Sequence, residues 1–197
     1  MTRLYTARGG QLALFPGAKT ERQAKGNRGM ELEHELLIMH ALYRRRKLAE
    51  VYKNPVQCQP VGNGQWARIT GKAIVDFTGC LAGGRHVAFD AKDCAGTRIE
   101  LNRLAGHQIE YLGSVFALGG LAFVLVRFEY RRCYRIPIDC WAYAYRRYCG
   151  DEPTDMVNGW KPKNIASICE VDMKPEWAVE GVDWMRGVEL WPRDLNG

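Results

Sequence analysis

Two short apolar stretches, each interrupted by an acidic residue, constrain this chain more than any other feature. They span residues 73–76 and 87–92 and are separated by a glycine-rich segment. Stretches of this length predict two neighbouring strands joined as a hairpin. Because side chains alternate along a strand, Asp90 and Lys92 project from the same face and Phe89 from the other. The pattern therefore predicts that Asp76, Asp90 and Lys92 lie close together.

Two carboxylates and a lysine in this arrangement have the chemistry of a metal-dependent nuclease. Mg²⁺ prefers oxygen ligands, and Asp76 and Asp90 can offer them to one ion. Lys92 beside them can orient a water or stabilise charge on a phosphate during phosphodiester cleavage. An ionised carboxylate near a core is costly unless it is paired or metal-bound, which favours a functional role. A salt bridge between Asp90 and Lys92 on an exposed edge is the alternative.

A helix precedes these strands and supplies a candidate third carboxylate. Apolar residues recur at helical spacing between residue 30 and about residue 50, and they are Leu32, Leu36, Met39 and Tyr43. We expect the helix to start at Asn27 or Arg28. At 100° per residue, Glu33 leans towards the apolar side, whereas Glu31 and Glu35 fall on the other side. Alternatively, all three glutamates are solvated and favour the helix dipole.

The remaining pattern predicts an α/β sheet of mixed direction. The expected order is a strand at 51–58, an irregular excursion at 59–72, a strand at 73–77, a glycine-rich connection at 78–85, a strand at 86–92, a helix at 102–118, strands at 121–126 and 133–138, a short helix at 140–148 and a strand at 167–171.

The formal net charge of +6 is distributed unevenly over the 197 residues. Residues 1–28 carry six Lys/Arg and one acid, whereas residues 150–197 carry five Lys/Arg and ten acids. The body up to residue 149 therefore has a net charge of +11, which suits a DNA or RNA partner. We expect a flexible basic arm at 1–26, the core at 27–150 and an acidic extension packing on it at 151–197.

The cysteines and the lack of a long apolar segment favour a reducing cytoplasm. The seven cysteines are an odd number without a Cys-x-x-Cys pair, so neither a disulfide framework nor a zinc ribbon is indicated. The spacing of Cys133, Cys140 and Cys149 matches no familiar metal site, and buried free thiols are the favoured interpretation. No stretch approaches the ~20 apolar residues of a membrane helix, so we expect no membrane partner.

Four motifs in a fixed order carry a family resemblance. They are Asn27-Arg28-Gly29-Met30-Glu31-Leu32-Glu33, Val75-Asp76-Phe77-Thr78-Gly79, Phe89-Asp90-Ala91-Lys92 and His107-Gln108-Ile109-Glu110. Over residues 26 to about 128, this series resembles the RecU family of Holliday-junction resolvases, from bacteria or phages. The resemblance implies the PD-(D/E)xK nuclease fold, which is an α/β restriction-endonuclease-like mixed sheet flanked by helices, with a short protruding stalk at about 57–73.

The resemblance also implies an activity and a site. It implies a Mg²⁺-dependent endodeoxyribonuclease, with Mn²⁺ able to replace Mg²⁺, that acts as a homodimer and makes paired nicks in four-way DNA junctions during recombination and repair. Asp76, Asp90 and Lys92 would form the catalytic core, Glu33 would join the two aspartates as a metal ligand, and Gln108 would complete the site. The expected DNA contacts are Arg28, Arg44, Arg45, Arg46, Lys47, Trp66, Arg68 and Lys72.

Several of these residues have a second interpretation. The basic run at 44–47 would equally suit a solvated helix end, where positive charge complements the dipole. Trp66 would stack on exposed bases at the crossover, or pack within the stalk or at the dimer interface.

The sequence departs from the family pattern in three places. Asp90 stands where many members have glutamate, the segment between Pro55 and Asp76 is shorter than the family's stalk, and the tail beyond Tyr148 matches little except residues 181–184. Two other functions stay open. One is a PD-(D/E)xK nuclease with another DNA substrate, such as an exonuclease or a restriction-like enzyme. The other is a DNA-binding module without catalytic activity.

Overall fold

Helices and strands alternate through the part of the chain that the structure describes. The structure is a computed structural model that describes residues 21–55, 57–61, 66–71, 73–151, 153, 156–157 and 159–190. Its elements are α1 (Glu21–Arg45), β1 (Ala49–Lys53), β2 (Gln57–Val61), β3 (Trp66–Gly71), β4 (Phe77–Leu81), β5 (His86–Cys94), β6 (Arg98–Glu100), α2 (Gly106–Ala117), β7 (Leu121–Phe128), β8 (Arg132–Pro137), α3 (Ile138–Tyr148), β9 (Ser167–Cys169) and β10 (Ala178–Val179), with short 3-10 turns at Leu101–Arg103, Glu170–Asp172 and Pro175–Trp177.

A six-stranded mixed sheet organises the fold, in the order β1-β4-β5-β7-β8-β10. Strands β4 and β5 form the predicted antiparallel hairpin, with Phe77 opposite Phe89. Strands β5 and β7 run parallel, with Val87 opposite Leu121. Parallel neighbours need a crossover connection, and the crossover here contains α2. The mixed sheet flanked by helices confirms the predicted α/β fold class.

The two faces of the sheet carry separate hydrophobic cores. On one face, α1 packs Leu32, Leu36 and Tyr43 against the sheet, and on the other α2 and α3 contribute side chains that include Leu112 and Trp141. Strand β5 serves both cores because its side chains alternate. Its Phe89 stacks between Phe77 and Phe123, at ring-centroid distances of 4.9 and 4.6 Å. This strand is therefore buried from both sides.

The strand predicted at residues 73–77 lies further along the chain, at Phe77–Leu81. A side chain at Gly79 would collide with the carbonyl oxygen of Glu50 on β1, so this glycine permits strand pairing. The glycine-rich stretch had instead predicted a connection at 78–85. The turn is confined to residues 82–85 and uses Gly83 and Gly84, both at positive φ.

Two other predicted segments also differ from the structure. Helix α1 begins at Glu21, six residues before Asn27, and ends at Arg45. The excursion predicted at residues 59–72 contains an antiparallel pair, β2 with β3.

The C-terminal segment contributes side chains to both cores. Trp177 is buried with the α2 and α3 side chains, whereas Trp184 is fully buried beside α1. Trp184 donates its indole N–H to Nε2 of His40 at 3.1 Å, and its carbonyl accepts from Arg135 at 2.6 Å. Residues far beyond α3 therefore complete the core around α1.

The cysteines are free thiols wherever their side chains are described. Cys133 and Cys140 are buried, as predicted, but Cys149 is exposed just beyond α3. Within the described ranges, no helix combines the length and apolar character needed to cross a bilayer.

Candidate active site

Asp90 lies at the centre of the candidate site, with its side chain fully buried in the middle of β5. Its Oδ1 accepts a hydrogen bond from Nε2 of Gln108 at 2.9 Å. Its Oδ2 has no hydrogen-bond partner among the described residues, although the Lys92 ammonium contacts it as an ion pair. The Lys92 ammonium therefore offsets part of the cost of burying this carboxylate oxygen.

Asp76 stands beside Asp90, immediately before β4. Its Oδ2 accepts the backbone N–H of Ala91 at 2.9 Å, which ties it to the strand that carries Asp90 and Lys92. Burial first, and the charge of Asp76 second, raise the pKa of Asp90 to about 6, and Lys92 opposes the shift. Two carboxylates thus share one partly buried space, an arrangement that favours a bound cation.

Gln108 reaches this pair from the first turn of α2. Its Oε1 accepts the backbone N–H of Ala105 at 3.0 Å, so the amide group caps the helix. Because the oxygen is engaged there, the NH₂ group faces Asp90. The structure therefore brings together Asp76, Asp90, Lys92 and Gln108, four of the five predicted catalytic residues.

Glu33, the fifth, is engaged elsewhere. It forms an ion pair with Lys53 at the end of β1 and is one-third exposed. Within the described ranges, no group of three or more His, Cys, Asp or Glu side chains could hold a metal ion. Two neighbouring aspartate carboxylates supply oxygen donors of the kind that suit a hard divalent cation. The residues present fit such an ion with Asp76 and Asp90 as its protein ligands.

Asn54 is a residue of this site that the sequence did not reveal. Its backbone N–H donates to the carbonyl of Asp76 at 2.8 Å, and its side-chain amide donates to the carbonyl of Val75 at 2.9 Å. It also accepts a hydrogen bond from Thr78 at 2.8 Å. These bonds hold the segment around Asp76 in place. The only local signal is its position before Pro55, which restricts its backbone.

Arg127 is a second residue that the sequence did not reveal. It is 4% exposed and binds Asp93 through two nitrogens, at 2.8 and 3.3 Å. It also binds Glu35 of α1 at 2.8 Å. Asp93 directly follows Lys92 on β5, so its side chain lies on the opposite face of the sheet. The cluster of Arg127, Asp93 and Glu35 therefore connects α1 to β5 on that face.

The predicted DNA contacts are described only in part. Arg44 forms an ion pair with Glu50 and lies over the ring of Tyr52 at 5.0 Å. Arg45, Arg46 and Lys47 are exposed at the end of α1. The side chains of Arg28, Trp66 and Arg68, and the whole of Lys72, lie outside the described residues.

Comparison with known proteins places this chain in a family. Residues 27–168 match the family described as RecU: Recombination protein U. A Holliday junction resolvase RecU from Leuconostoc mesenteroides is 31% identical over 125 residues, covering 58% of this chain and 61% of the relative. The Bacillus cytotoxicus protein of the same name is 32% identical over 120 residues, covering 56% and 60%. The chain thus spans about three-fifths of the length of these curated relatives.

A solved structure also aligns with the chain. It is that of Archaeoglobus fulgidus Hjc, a Holliday junction resolvase, with a TM-score of 0.43 and 13% sequence identity. The alignment covers 77% of this chain and 90% of the Hjc chain.

Proposed function

This chain belongs to the RecU family, and we propose from that membership that it is a metal-dependent endonuclease that resolves four-way DNA junctions by paired nicks, in recombination and repair. The observation that carries the proposal is the buried pair Asp76 and Asp90, with Lys92 and Gln108 in contact with Asp90. Burying one carboxylate beside another costs stability, and carboxyl groups perturbed in this way cluster at functional sites.

Asp76 and Asp90 would hold the metal ion, which we propose to be Mg²⁺ with Mn²⁺ as a substitute. Glu33 is a candidate further ligand, although its carboxylate pairs with Lys53 in the structure. When bound, a divalent cation lowers the pKa of a water and stabilises charge on the leaving oxygen.

The chain's own residues would position and stabilise the reacting groups. Gln108 fixes Asp90, because its oxygen caps α2 and its NH₂ group binds Asp90 Oδ1. Lys92 is partly exposed, so its ammonium group can contact a phosphate of bound DNA and stabilise the negative charge that develops on it. The backbone N–H of Asn54 donates to the Asp76 carbonyl and that of Ala91 to the Asp76 carboxylate, so Asp76 is held at both its backbone and its side chain. Each of these residues thus contacts one of the two proposed metal ligands.

Branched DNA is the proposed substrate and a homodimer the proposed acting form, in the cytoplasm where such DNA arises. A four-way junction presents two symmetric strands, and two copies of one enzyme suit that symmetry. Backbone contacts would come from the exposed basic end of α1, from Arg28, Arg68 and Lys72, and Trp66 would stack on bases at the crossover.

Cleavage of a labelled four-way junction by Asp90→Asn tests the proposal. This change removes a ligand charge without altering the basic surface, so we expect cleavage to be lost and junction binding to persist. Asp151→Asn, an equivalent change at an exposed residue paired with Arg146, should cleave as the wild type does. Cleavage by Asp90→Asn at a near wild-type rate would contradict the assigned site.

The same assay separates the other two functions. Equal cleavage of a linear duplex and a junction would indicate a nuclease with another DNA substrate. Binding without cleavage by the wild-type protein, at all concentrations of Mg²⁺ and Mn²⁺, would indicate a DNA-binding module.

A further inference from the structure

The edge of β5 that extends beyond β4 binds polar side chains through its main chain. Pairing with β4 covers β5 only as far as Phe89, whereas β5 continues to Cys94. In an antiparallel pair, the N–H and C=O groups of every second residue point towards the partner strand. The N–H of Ala91 points to this edge, where it binds the Asp76 carboxylate, and the C=O of Asp93 therefore points to the same edge.

Arg103, from the short turn before α2, lies at this edge. Its Nη1 donates to the Asp93 carbonyl at 3.1 Å and to Sγ of Cys94 at 3.0 Å. The Cys94 side chain is on the same face of β5 as those of Asp90 and Lys92, because side chains alternate along a strand. The guanidinium of Arg103 therefore lies on the same edge and the same face of the sheet as the proposed active site.

The positive charge of Arg103 is not neutralised by a carboxylate. Both of its acceptors are neutral groups, and no salt bridge in the part of the chain that the structure describes includes this arginine. A guanidinium carries five N–H groups in a planar fork, and among the described residues only Nη1 donates. The side chain is partly buried and held at that nitrogen, so its other N–H groups are kept in place at a low cost in entropy.

We propose that Arg103 binds the DNA phosphate next to the one that is cleaved, on the same strand. Ala91, which binds Asp76, and Asp93, which binds Arg103, are two residues apart, so the two contacts are separated by on the order of 7 Å along β5. This separation gives Arg103 a different phosphate from the one at the metal ligands. A planar fork of N–H groups matches the non-bridging oxygens of a phosphate. Lys92 remains the cation at the reacting phosphate.

The contact deepens the proposed function and rests on it for the presence of DNA at this site. A phosphate contact of this kind positions the strand and carries no sequence information. It is also made equally before and during the cleavage step, so its loss should weaken binding and raise KM with little change in kcat. Loss of Lys92, which acts on the reacting phosphate, should lower kcat instead.

Binding of a labelled four-way junction in EDTA tests the contact without cleavage. Arg103→Gln keeps a donor for the Asp93 carbonyl but removes the charge, so the dissociation constant should rise about tenfold. The slope of log K against log salt should fall by about 0.9. Arg103→Lys keeps the charge and should recover most of both. With Mg²⁺ and saturating junction, kcat of Arg103→Gln should stay within about threefold of the wild type.

Arg85→Gln is the matched control. Arg85 is also partly buried, and it also donates to backbone carbonyls, those of Gly119 and Gly120. It lies just before the opposite end of β5, about 26 Å along the strand direction from Asp93. Arg85→Gln should therefore bind the junction with the wild-type affinity and salt slope. Thermal unfolding of all the variants checks that each one is folded.

Junctions that carry one uncharged methylphosphonate in place of a phosphate identify the partner of Arg103. The wild type should lose about tenfold in affinity when the phosphate next to the cleaved one is replaced, and Arg103→Gln should lose nothing further there. An equal loss in both proteins would overturn the contact and leave Arg103 as a support for the Asp93 carbonyl.

Three other results separate this contact from the proposed function. A wild type that is insensitive to methylphosphonate at both neighbours of the cleaved phosphate would overturn the contact, whether or not the variants fold. A protein that binds junctions and shows the Arg103-dependent phosphate, yet cleaves nothing, would keep the contact and refute the proposed function. A wild type that binds no DNA would refute both.

Discussion

Replacing Asp90 with asparagine should stabilise the metal-free protein at neutral pH. The folded-state pKa of this carboxyl is about 6, against an ordinary value of 3.8, and burial is the main cause. Below pH 3.8 the group is protonated in both the folded and the unfolded state and affects neither. As the pH rises to 6, the unfolded state ionises more readily than the folded state. The folded protein therefore loses stability through this pH range, and the loss is complete above pH 6.

The size of the effect follows from the pKa difference. A difference of about two pKa units lowers the stability of the wild type by about 3 kcal/mol at pH 7.5 and by about 1 kcal/mol at pH 4.5. Asparagine has no charge to bury, and its carbonyl oxygen can still accept the hydrogen bond from Gln108. We expect the free energy of unfolding of Asp90→Asn, measured with denaturant in the presence of EDTA, to exceed that of the wild type by about these amounts. The difference should increase with pH.

Adding Mg²⁺ should make the wild type more stable than Asp90→Asn. A ligand that binds only the folded state stabilises it by RT ln(1 + [L]/Kd), so each tenfold increase of Mg²⁺ above Kd adds about 1.4 kcal/mol to the wild type. Asp90→Asn should respond weakly because one of two carboxylate ligands is missing. Asp151→Asn should behave like the wild type in both experiments. An Asp90→Asn protein that is less stable than the wild type at pH 7.5 without metal, or equal stabilisation of both proteins by Mg²⁺, would contradict the burial cost and the ligand role assigned to Asp90.

Four further predictions concern other parts of the chain. Lys92→Ala should lower turnover roughly 10²–10³-fold while the metal-induced rise in unfolding temperature persists, and a variant that loses metal affinity but keeps turnover would show that this lysine has another role. The pKa of His40 is lowered to about 4, by burial first and Arg44 second. Its contribution to stability is therefore complete above pH 6.5, and about 3 kcal/mol should be lost as the pH falls to 4. His40→Gln should unfold with a flatter pH profile. Replacing residues 61–70 with a short glycine linker should abolish the preference for a junction over duplex DNA in a folded protein, and an unchanged preference would exclude a role for the β2–β3 hairpin. Deleting residues 2–20 should reduce the slope of log K against log salt by about 0.9 per lost phosphate contact without changing the metal dependence of cleavage at saturating DNA.

The proposed catalytic residues of β5 could be predicted because the pattern that indicates them lies within a few neighbouring residues of the sequence. Alternation along a strand is enough to place Asp90 and Lys92 on one face, and Gln108 belongs to a motif at a helix start. The position of β4 could not be predicted in the same way. Gly79 has the composition of a turn, and the close approach of β1 that requires a glycine there involves a backbone about thirty residues away.

The residues that support the site could not be predicted from the sequence, because their partners are distant along the chain. Arg127 reads as a charge at the end of an apolar strand, and Asp93 and Glu35 are needed to explain its burial. Asn54 reads as an ordinary residue before a proline. The helical wheel placed Glu33 on the inner side of α1, but it could not show that Lys53 takes its carboxylate.

The side chain that seals the core around α1 is synthesised 144 residues after the histidine it meets on that helix. Trp184 meets His40 across 144 residues of chain, and it also lies against Phe89 and Phe123. Until residue 184 has been added, these aromatic side chains lack a neighbour and this part of the core stays open to water. Contacts between such distant residues form slowly, and incomplete chains with exposed apolar surface are prone to aggregate. A nascent chain of this protein therefore carries most of its proposed catalytic residues long before it can close the core around α1.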